Sequence, residues 1–136
     1  MRRCATPEQY EILPERRLLR CRIWGVLTNE DLIGHYRRIR ADPAFDPNFA
    51  QLGDLRDVTE FNVGTETVQA AADLDVFAPT ARRALVVTHD VQYGVARMFA
   101  TFSELAGHPV RVFRDYHDAE EWVRSDSRNG TADHAG

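Results

Sequence analysis

The side chains best suited to chemistry in this sequence are acidic, basic and histidine residues that follow segments with the pattern of β-strands. They are Asp54, Arg56 and Asp57 after one segment, His89 and Asp90 after the next, and Arg114 and Asp115 after the last. A histidine held by a carboxylate titrates near neutral pH and can act as a general acid or base. His89 with Asp54 or Asp57 is therefore the pair that could support acid–base catalysis.

The same side chains also have ordinary structural explanations. Asp90 is placed to cap a helix. Asp54 and Asp57 suit turns, and Arg56 can pair with either carboxylate. The sequence has no nucleophile elbow, metal-ligand spacing or glycine-rich phosphate loop. We therefore expect no catalytic residue, no metal and no cofactor, and we keep the small acid–base enzyme as an alternative.

A second group of interest lies on a predicted helix, where Tyr93 and Arg97 are four residues apart. One interpretation is a solvated face on which the tyrosine rests against the arginine stem. The other is a contact surface, because tyrosine and arginine are enriched in binding hot spots. Both interpretations stay open, and Tyr93 and Arg97 join the predicted ligand or partner site.

Hydrophobic periodicity predicts the order strand, strand, helix, strand, helix, strand, helix, strand, helix. The predicted strands are 10–13, 18–24, 51–56, 83–87 and 110–113, and the predicted helices run from Thr28 to about 42, over 65–76, from Asp90 to the residues before Gly107, and over 116–124. This alternation predicts one α/β domain with a mostly parallel mixed sheet of about five strands, an antiparallel edge hairpin and four helices. The continuous apolar run from Arg83 to Val87 is typical of a strand buried on both faces, so we expect it inside the sheet.

Local signals refine these elements. Thr28 and Asp31 resemble a capping box at the start of the first helix. Gly25 is expected to end the second strand. The third helix should bury an apolar stripe formed by Val91, Val95, Met98, Phe99, Phe102 and Leu105.

The predicted sheet would bring the polar groups together. In a mostly parallel sheet, ligands bind outside the carboxyl ends of the strands, where helix N-termini converge. We therefore expect Asp54, Arg56, Asp57, His89 and Asp90 to form a ligand or partner site at this edge.

The composition narrows the classes of function. The chain has 136 residues and a net charge of -4, which argues against general binding to nucleic acid or an anionic membrane surface. Two cysteines, Cys4 and Cys21, form no metal spacing and fit a reducing compartment. All 17 basic residues are arginine, which excludes a lysine Schiff base. No apolar run approaches the roughly 20 residues of a spanning helix, so we expect a cytoplasmic bacterial protein without membrane insertion.

The expected boundaries are an N-terminal tail over 1–9, one domain over 10–124 and a disordered C-terminal tail over 125–136. Within the domain the sequence resembles the SpoIIAA-like family, which is related to the STAS domains and their anti-sigma-factor antagonists. The resemblance is carried by the element order, Gly25-Val26-Leu27-Thr28, Asp54-Leu55-Arg56-Asp57-Val58, and Val112-Phe113-Arg114-Asp115 before Ala119-Glu120-Glu121-Trp122.

This resemblance implies a binding or regulatory module. In the antagonists, a strand ending in Asp-Leu leads to a phosphorylatable serine at the start of the next helix. The corresponding position here is near Val63 and Gly64, so Thr65 is the nearest possible phosphorylation site, with an ordinary helix N-cap as its other interpretation.

The sequence therefore predicts a non-enzymatic module that acts through protein or small-ligand contacts. One alternative is a homodimeric carrier of a lipid or other apolar ligand, lined by helix residues such as Phe77, Met98 and Phe102. The other is the acid–base enzyme. A homodimer is also expected from the number of large side chains that one small sheet must cover: Phe77, Tyr93, Tyr116 and Trp122.

Overall fold

The computed structural model describes residues 8–74 and 76–126, and for 125 and 126 it describes the backbone alone. The strands are β1 (Glu8–Leu13), β2 (Leu18–Thr28), β3 (Ala50–Asn62), β4 (Arg83–Val86) and β5 (Arg111–Phe113). The helices are α1 (Asn29–Ala41), α2 (Thr65–Asp73), α3 (Asp90–Leu105) and α4 (Tyr116–Asp126). The chain begins β1 two residues before the predicted domain boundary, and α4 continues two residues past it. The rest of the two predicted tails, 1–7 and 127–136, lies outside the described residues.

The five strands form one mixed sheet in the order β1-β2-β3-β4-β5. β1 is antiparallel to β2, and the other neighbours are parallel. Right-handed crossovers that advance in one direction place their helices on one face, so α1, α2 and α3 cover the same side. The larger of the two hydrophobic clusters lies between these helices and the sheet. It includes one buried residue from each helix: Leu32, Val68 and Phe99. α4 covers the opposite side, and the predicted α/β architecture is confirmed.

The central position of β4 is also confirmed. It pairs with β3 on one side and with β5 on the other, and all four of its residues are buried. The Thr28–Asp31 capping box is present, with the Thr28 hydroxyl accepting from the Asp31 N–H at 3.2 Å.

β2 and β3 are longer than predicted. Gly25 has a φ of 73° and lies at an irregularity of the β2–β3 register, so it bends the strand without ending it. β4 pairs only with Gln51 to Asp54 of β3, and the remainder of β3 continues beside β2 alone. Asp54, Arg56 and Asp57 therefore lie within a strand and not in a turn after it, which corrects the prediction.

Beyond the end of β4, the side chain of Gln92 on α3 forms hydrogen bonds with the backbone of β3. Its Nε2 donates to the carbonyls of Arg56 at 3.0 Å and Val58 at 2.9 Å. Its Oε1 accepts from the N–H groups of Thr88 at 2.9 Å and His89 at 3.1 Å. A buried polar group must be paired, and one carboxamide here satisfies four backbone groups that no strand reaches.

The buried face of α3 differs from the predicted stripe. Gln92, Ala96, Phe99 and Ser103 are buried, whereas Val91 is 67% exposed and Leu105 is 80% exposed. The helix is rotated so that Gln92 reaches β3, and this moves both ends of the apolar stripe outward. Asp90 is the first helical residue and His89 is the N-cap, so the predicted capping role of Asp90 is wrong. None of the helices in the described part of the chain is long and apolar enough to cross a bilayer.

Candidate functional site

A cleft of about 50 Å³ lies between the sheet and helices α1, α2 and α3. Most of its lining is aliphatic or aromatic, including Leu27, Leu32, Val68 and Phe99. Its polar lining residues are Cys21, Tyr36 and Gln51, which form the floor of the cleft, and His35, which lies in its wall. Phe61, Val63 and Val95 also line it and are only half-buried, which marks the side on which it opens. An apolar cleft with a few convergent polar groups is the usual form of a small-molecule site.

Gly53 lies at the floor of this cleft, where a side chain would be crowded. A Cβ at this position would lie 2.9 Å from Cδ2 of Leu85 and 3.9 Å from Nε2 of Gln51. A methyl group would therefore occupy the floor beside the polar lining residues, displacing the flexible end of the Leu85 side chain.

His35 is fixed in the cleft wall by the first residue of β1. Its Nδ1 lies 2.8 Å from Oε1 of Glu8, and the other carboxylate oxygen pairs with the guanidinium of Arg38. Burial alone would raise the pKa of Glu8. The hydrogen bond and charge of His35, together with Arg38, have the larger opposite effect, so the pKa of Glu8 lies below its ordinary value. Glu8 is therefore a carboxylate held by two cations.

The imidazole of His35 and the thiol of Cys21 both line the cleft. Burial disfavours the imidazolium, but the Cys21 sulfur and the Glu8 carboxylate outweigh it and raise the pKa of His35 to about 10. Glu8 therefore holds a cationic imidazole in the wall of the cleft.

The buried guanidinium of Arg83 determines how the neighbouring polar groups are oriented. Its Nε donates to Oε1 of Gln51 at 2.9 Å, and its Nη2 donates to the Tyr36 hydroxyl at 3.3 Å. Because arginine has only donors, the Gln51 oxygen must face Arg83. Nε2 of Gln51 is thereby directed to the Tyr36 hydroxyl at 3.5 Å and to Sγ of Cys21 at 3.9 Å.

The Tyr36 hydroxyl accepts from both Arg83 and Gln51. Among the described residues no acceptor lies within hydrogen-bond distance for its own O–H, so its proton remains to be donated. The polar floor of the cleft is accordingly rich in donors.

No carboxylate pairs with Arg83 within residues 8–74 and 76–126. Its guanidinium lies instead among aromatic rings, 4.3 Å from the centre of Phe77, 5.7 Å from that of Phe99 and 5.8 Å from that of Tyr36. Burial lowers the pKa of Arg83 from its ordinary value. Cation–π contacts are stronger when desolvated, and they partly replace the missing counter-ion.

Of the predicted site residues, Asp54 and Arg56 are brought together. Arg56 donates from Nε and Nη2 to the two carboxylate oxygens of Asp54, each at 2.9 Å. Burial opposes ionisation of Asp54, but Arg56 holds its pKa below the ordinary value. Asp57 pairs with Arg22 at 2.9 Å. These pairs lie on the α4 side of the sheet, away from the cleft.

His89, Asp90, Tyr93 and Arg97 lie near the exposed start of α3. Asp90 pairs with Arg114 at 3.1 Å, and Arg97 donates to the Tyr93 hydroxyl at 2.9 Å. The guanidinium of Arg114 also lies 4.5 Å from the centre of the Tyr93 ring. No ion pair or hydrogen bond joins the His89 side chain to Asp54 or Asp57 in the described part of the chain, so the structure does not assemble the predicted acid–base pair.

The remaining predictions need correction in detail. Thr65 is exposed at the first position of α2, and Gly64 is the N-cap, so Thr65 does not cap the helix. Phe77, Met98 and Phe102 do not line the cleft. Phe77 is only 1% exposed, which removes it from any dimer surface, and Tyr93, Tyr116 and Trp122 are half-buried.

The sequence does not indicate the polar residues of the cleft or their partner Glu8. Glu8 falls in the predicted N-terminal tail, and no motif distinguishes Tyr36. One feature of the sequence could have indicated this polar group: Gln51 and Arg83 are long polar residues within predicted strands. Strands of a sheet covered on both faces are buried, so both side chains would be buried as well. Such residues need partners, and they occupy neighbouring register positions. As to metals, no three His, Cys, Asp or Glu side chains lie close enough to hold an ion within the residues described.

The fold is similar to that of a solved protein. The crystal structure of an uncharacterized protein of the DUF3478 family with a SpoIIAA-like fold, from Shewanella loihica PV-4, matches with a TM-score of 0.58. The two chains are 17% identical, and the match covers 90% of this chain and 98% of the other. No family model and no curated protein matches this chain. The chain has a SpoIIAA-like fold, as the resemblance predicted.

Proposed function

We propose that this protein is a non-enzymatic binding module whose cleft takes the end of a small, largely apolar molecule carrying a hydrogen-bond acceptor, such as a carbonyl or carboxylate. The observation that carries this proposal is the contrast between the apolar walls of the cleft and the O–H of Tyr36 at its floor, which has no acceptor among the described residues. A binding or regulatory role in general agrees with the SpoIIAA-like fold. The Asp54–Arg56 pair supports the sheet on the opposite face and takes no part.

The floor favours an acceptor for a specific reason. The O–H of Tyr36 is the group left to meet a ligand, since Arg83 and Gln51 both donate to its oxygen. A buried donor without an acceptor costs about 1–3 kcal/mol, so a ligand that supplies an acceptor is favoured. An ammonium group would face other donors and would be rejected.

The size of the cleft limits what enters it. A dry cavity of about 150 Å³ accommodates benzene, so a void of about 50 Å³ accommodates about two heavy atoms. The head of the ligand therefore enters the void. Its apolar body lies along the open side, against Phe61, Val63 and Val95.

A second surface supports the alternative of protein contact. Tyr93 lies between the guanidinium groups of Arg97 and Arg114, and small Ala100 lies on the same helix one turn from Arg97. Aromatic and arginine side chains of this kind are those enriched in hot spots. Mutation of this surface would leave ligand binding in the cleft unchanged.

Calorimetric titration with matched six-carbon ligands tests the cleft proposal. Hexanoate should bind and hexylamine should not, because only the first offers acceptors. Gly53→Ala, which adds a methyl group to the floor, should weaken hexanoate binding. Equal binding of the acid and the amine, or an undiminished affinity in Gly53→Ala, would exclude this site.

A further inference from the structure

We infer that two copies of this chain form a symmetric dimer in which their β5 edges pair antiparallel and their α3 helices lie side by side. The inference gives the surface around Tyr93 one defined partner, a second copy of the same chain. It does not rest on the proposed cleft, which is lined by other residues of α3.

The outer edge of β5 offers backbone groups for pairing. Among the described residues β5 is the last strand of the sheet and pairs only with β4. The C=O of Phe113 accepts from the N–H of Val87 at 3.0 Å, so the backbone groups of Phe113 point toward the β4 side. Consecutive residues of a strand direct these groups to opposite edges, and those of Val112 therefore face outward. An open strand edge is a template for pairing with another chain.

A groove of about 270 Å³ lies between α3 and this edge. Val110 and Val112 line it from the β5 side. Residues spaced four, three and four apart line it from α3: Tyr93, Arg97, Ala100 and Glu104. Residues at these spacings share one face of a helix, so the four side chains form a single stripe beside β5. The same spacing is used by the contact positions of paired helices.

The stripe on α3 is complementary to itself in charge. Arg97 and Glu104 are exposed on either side of Ala100, and neither forms an ion pair in the part of the chain that the structure describes. A two-fold axis beside Ala100 places each Arg97 next to Glu104 of the other copy. A symmetric dimer requires a surface that matches itself in this way, and the small Ala100 side chain allows the helices to approach.

The β5 edge is also complementary to itself. Antiparallel pairing centred on Val112 lets this residue exchange two backbone hydrogen bonds with its counterpart. The same pairing places Arg111 opposite Phe113 of the other copy. Within one chain the Arg111 guanidinium lies 4.9 Å from the centre of the Phe113 ring, so an equivalent cation–π contact can form across the new pair of strands.

The other charges at this edge do not oppose the contact. Arg114 pairs with Asp90 at 3.1 Å, and the Asp115 carboxylate accepts from the N–H of Asp118. Charges of both signs are therefore interspersed along the surface. Because β5 has only three residues, the contact is small, and we expect a dimer that dissociates on dilution.

Sedimentation velocity of the full-length chain over about 1–200 μM tests the inference. The mean mass should rise from monomer toward dimer with concentration. Arg97→Glu places a like charge against Glu104 and should weaken dimerisation about tenfold or more, and Glu104→Arg should do the same. An equimolar mixture of these two variants restores opposite charges, so it should dimerise again. Arg37→Glu, at an exposed position of α1, is the matched control and should behave as the wild type.

Amide hydrogen exchange tests the position of the interface. The Val112 amide should exchange more slowly as the dimer forms, and this protection should be lost in Arg97→Glu. A monomer mass at every concentration would show that the short β5 edge stays unpaired, and would overturn the inference. A dimer unchanged in both charge variants, a mixture that stays monomeric, or a Val112 amide without protection would overturn it as well.

The dimer and the cleft can fail separately. If the protein binds hexanoate but remains a monomer, the dimer falls and the binding function stands. If the protein dimerises with the expected dependence on Arg97 and Glu104 but binds no hexanoate, the dimer stands and the binding proposal falls.

Discussion

Oε1 of Glu8 lies 2.8 Å from Nδ1 of His35, and this contact joins the first residue of the edge strand β1 to the middle of α1. Both side chains are buried, and Arg38 pairs with the same carboxylate. A buried ion pair costs solvation and stabilises a fold only when its geometry and remaining hydrogen bonds are good. Here the pair fixes the imidazole of His35 in the wall of the cleft.

This contact predicts a specific dependence of stability on pH. The pKa of Glu8 is lowered on folding, so its contribution is present above its unfolded value of about 4.5 and is lost as pH falls through the lower folded value. The pKa of His35 is raised from 6.5 to about 10, so its contribution is complete below 6.5 and is lost as pH rises through 10. The free energy of unfolding should therefore decline from pH 6.5 toward 10.

Urea denaturation at a series of pH values measures this decline. His35→Gln removes the titrating group, so its decline over the same interval should be smaller than that of the wild type. Parallel curves for the two proteins would show that His35 is not held as a cation.

The Arg83–Gln51 contact predicts that substitutions of these two residues have non-additive effects on the free energy of unfolding. Arg83→Met keeps the volume of the side chain but leaves the Gln51 carbonyl unpaired, so we expect a loss of about 1–3 kcal/mol. Gln51→Met in the same protein removes that orphaned carbonyl. The double variant should therefore be more stable than the sum of the single losses predicts, by about 0.5–3 kcal/mol. Additive losses in a double-mutant cycle would contradict the contact.

The Gln92 carboxamide bridges β3 and the loop before α3, so its replacement by an apolar side chain of similar size should cause a large loss of stability. Gln92→Leu leaves the Arg56 and Val58 carbonyls and two loop N–H groups without their partner, so we expect a loss of about 3 kcal/mol. Gln69→Leu, at an exposed position of α2, is the matched control and should change stability by less than about 0.5 kcal/mol. Chemical denaturation of both variants makes the comparison, and similar losses would count against the bridge.

The rotation of α3 predicts which of its large apolar residues stabilise the fold. Phe99 is buried and stacks on Tyr36, with ring centres 6.1 Å apart, so Phe99→Ala should cost about 3–5 kcal/mol. Leu105 is 80% exposed, and Leu105→Ala should cost less than about 0.5 kcal/mol. Denaturant melts in which Leu105→Ala lost as much stability as Phe99→Ala would contradict this rotation.

Much of the fold was accessible from the sequence because its signals are local. The apolar run beginning at Arg83 and the capping box of Thr28 with Asp31 depend on neighbouring residues, and both predictions are confirmed. The length of β3 was missed because the extra residues are stabilised from a distance, by β2 and by the side chain of Gln92. No local pattern contains that information.

The candidate site was less accessible for the same reason. Glu8 and His35 are 27 residues apart, and Gln51 and Arg83 are 32 apart. Each of these side chains has an ordinary interpretation until the sheet order is known. The cleft also lies between the sheet and α1, α2 and α3, whereas the rule for parallel sheets predicts a site at the carboxyl ends of the strands.

The most direct test of the cleft is an NMR titration that follows the side-chain amide of Gln51 and the backbone amide of Gly53. With hexanoate, both signals should shift and saturate in the wild type, while hexylamine at the same concentration leaves them unchanged. The shifts should weaken in Gly53→Ala, whose fold is checked by the dispersion of its backbone amide signals. Signals that do not move with hexanoate, or that move equally with hexylamine, would contradict the proposal that this cleft binds an acceptor-bearing apolar molecule.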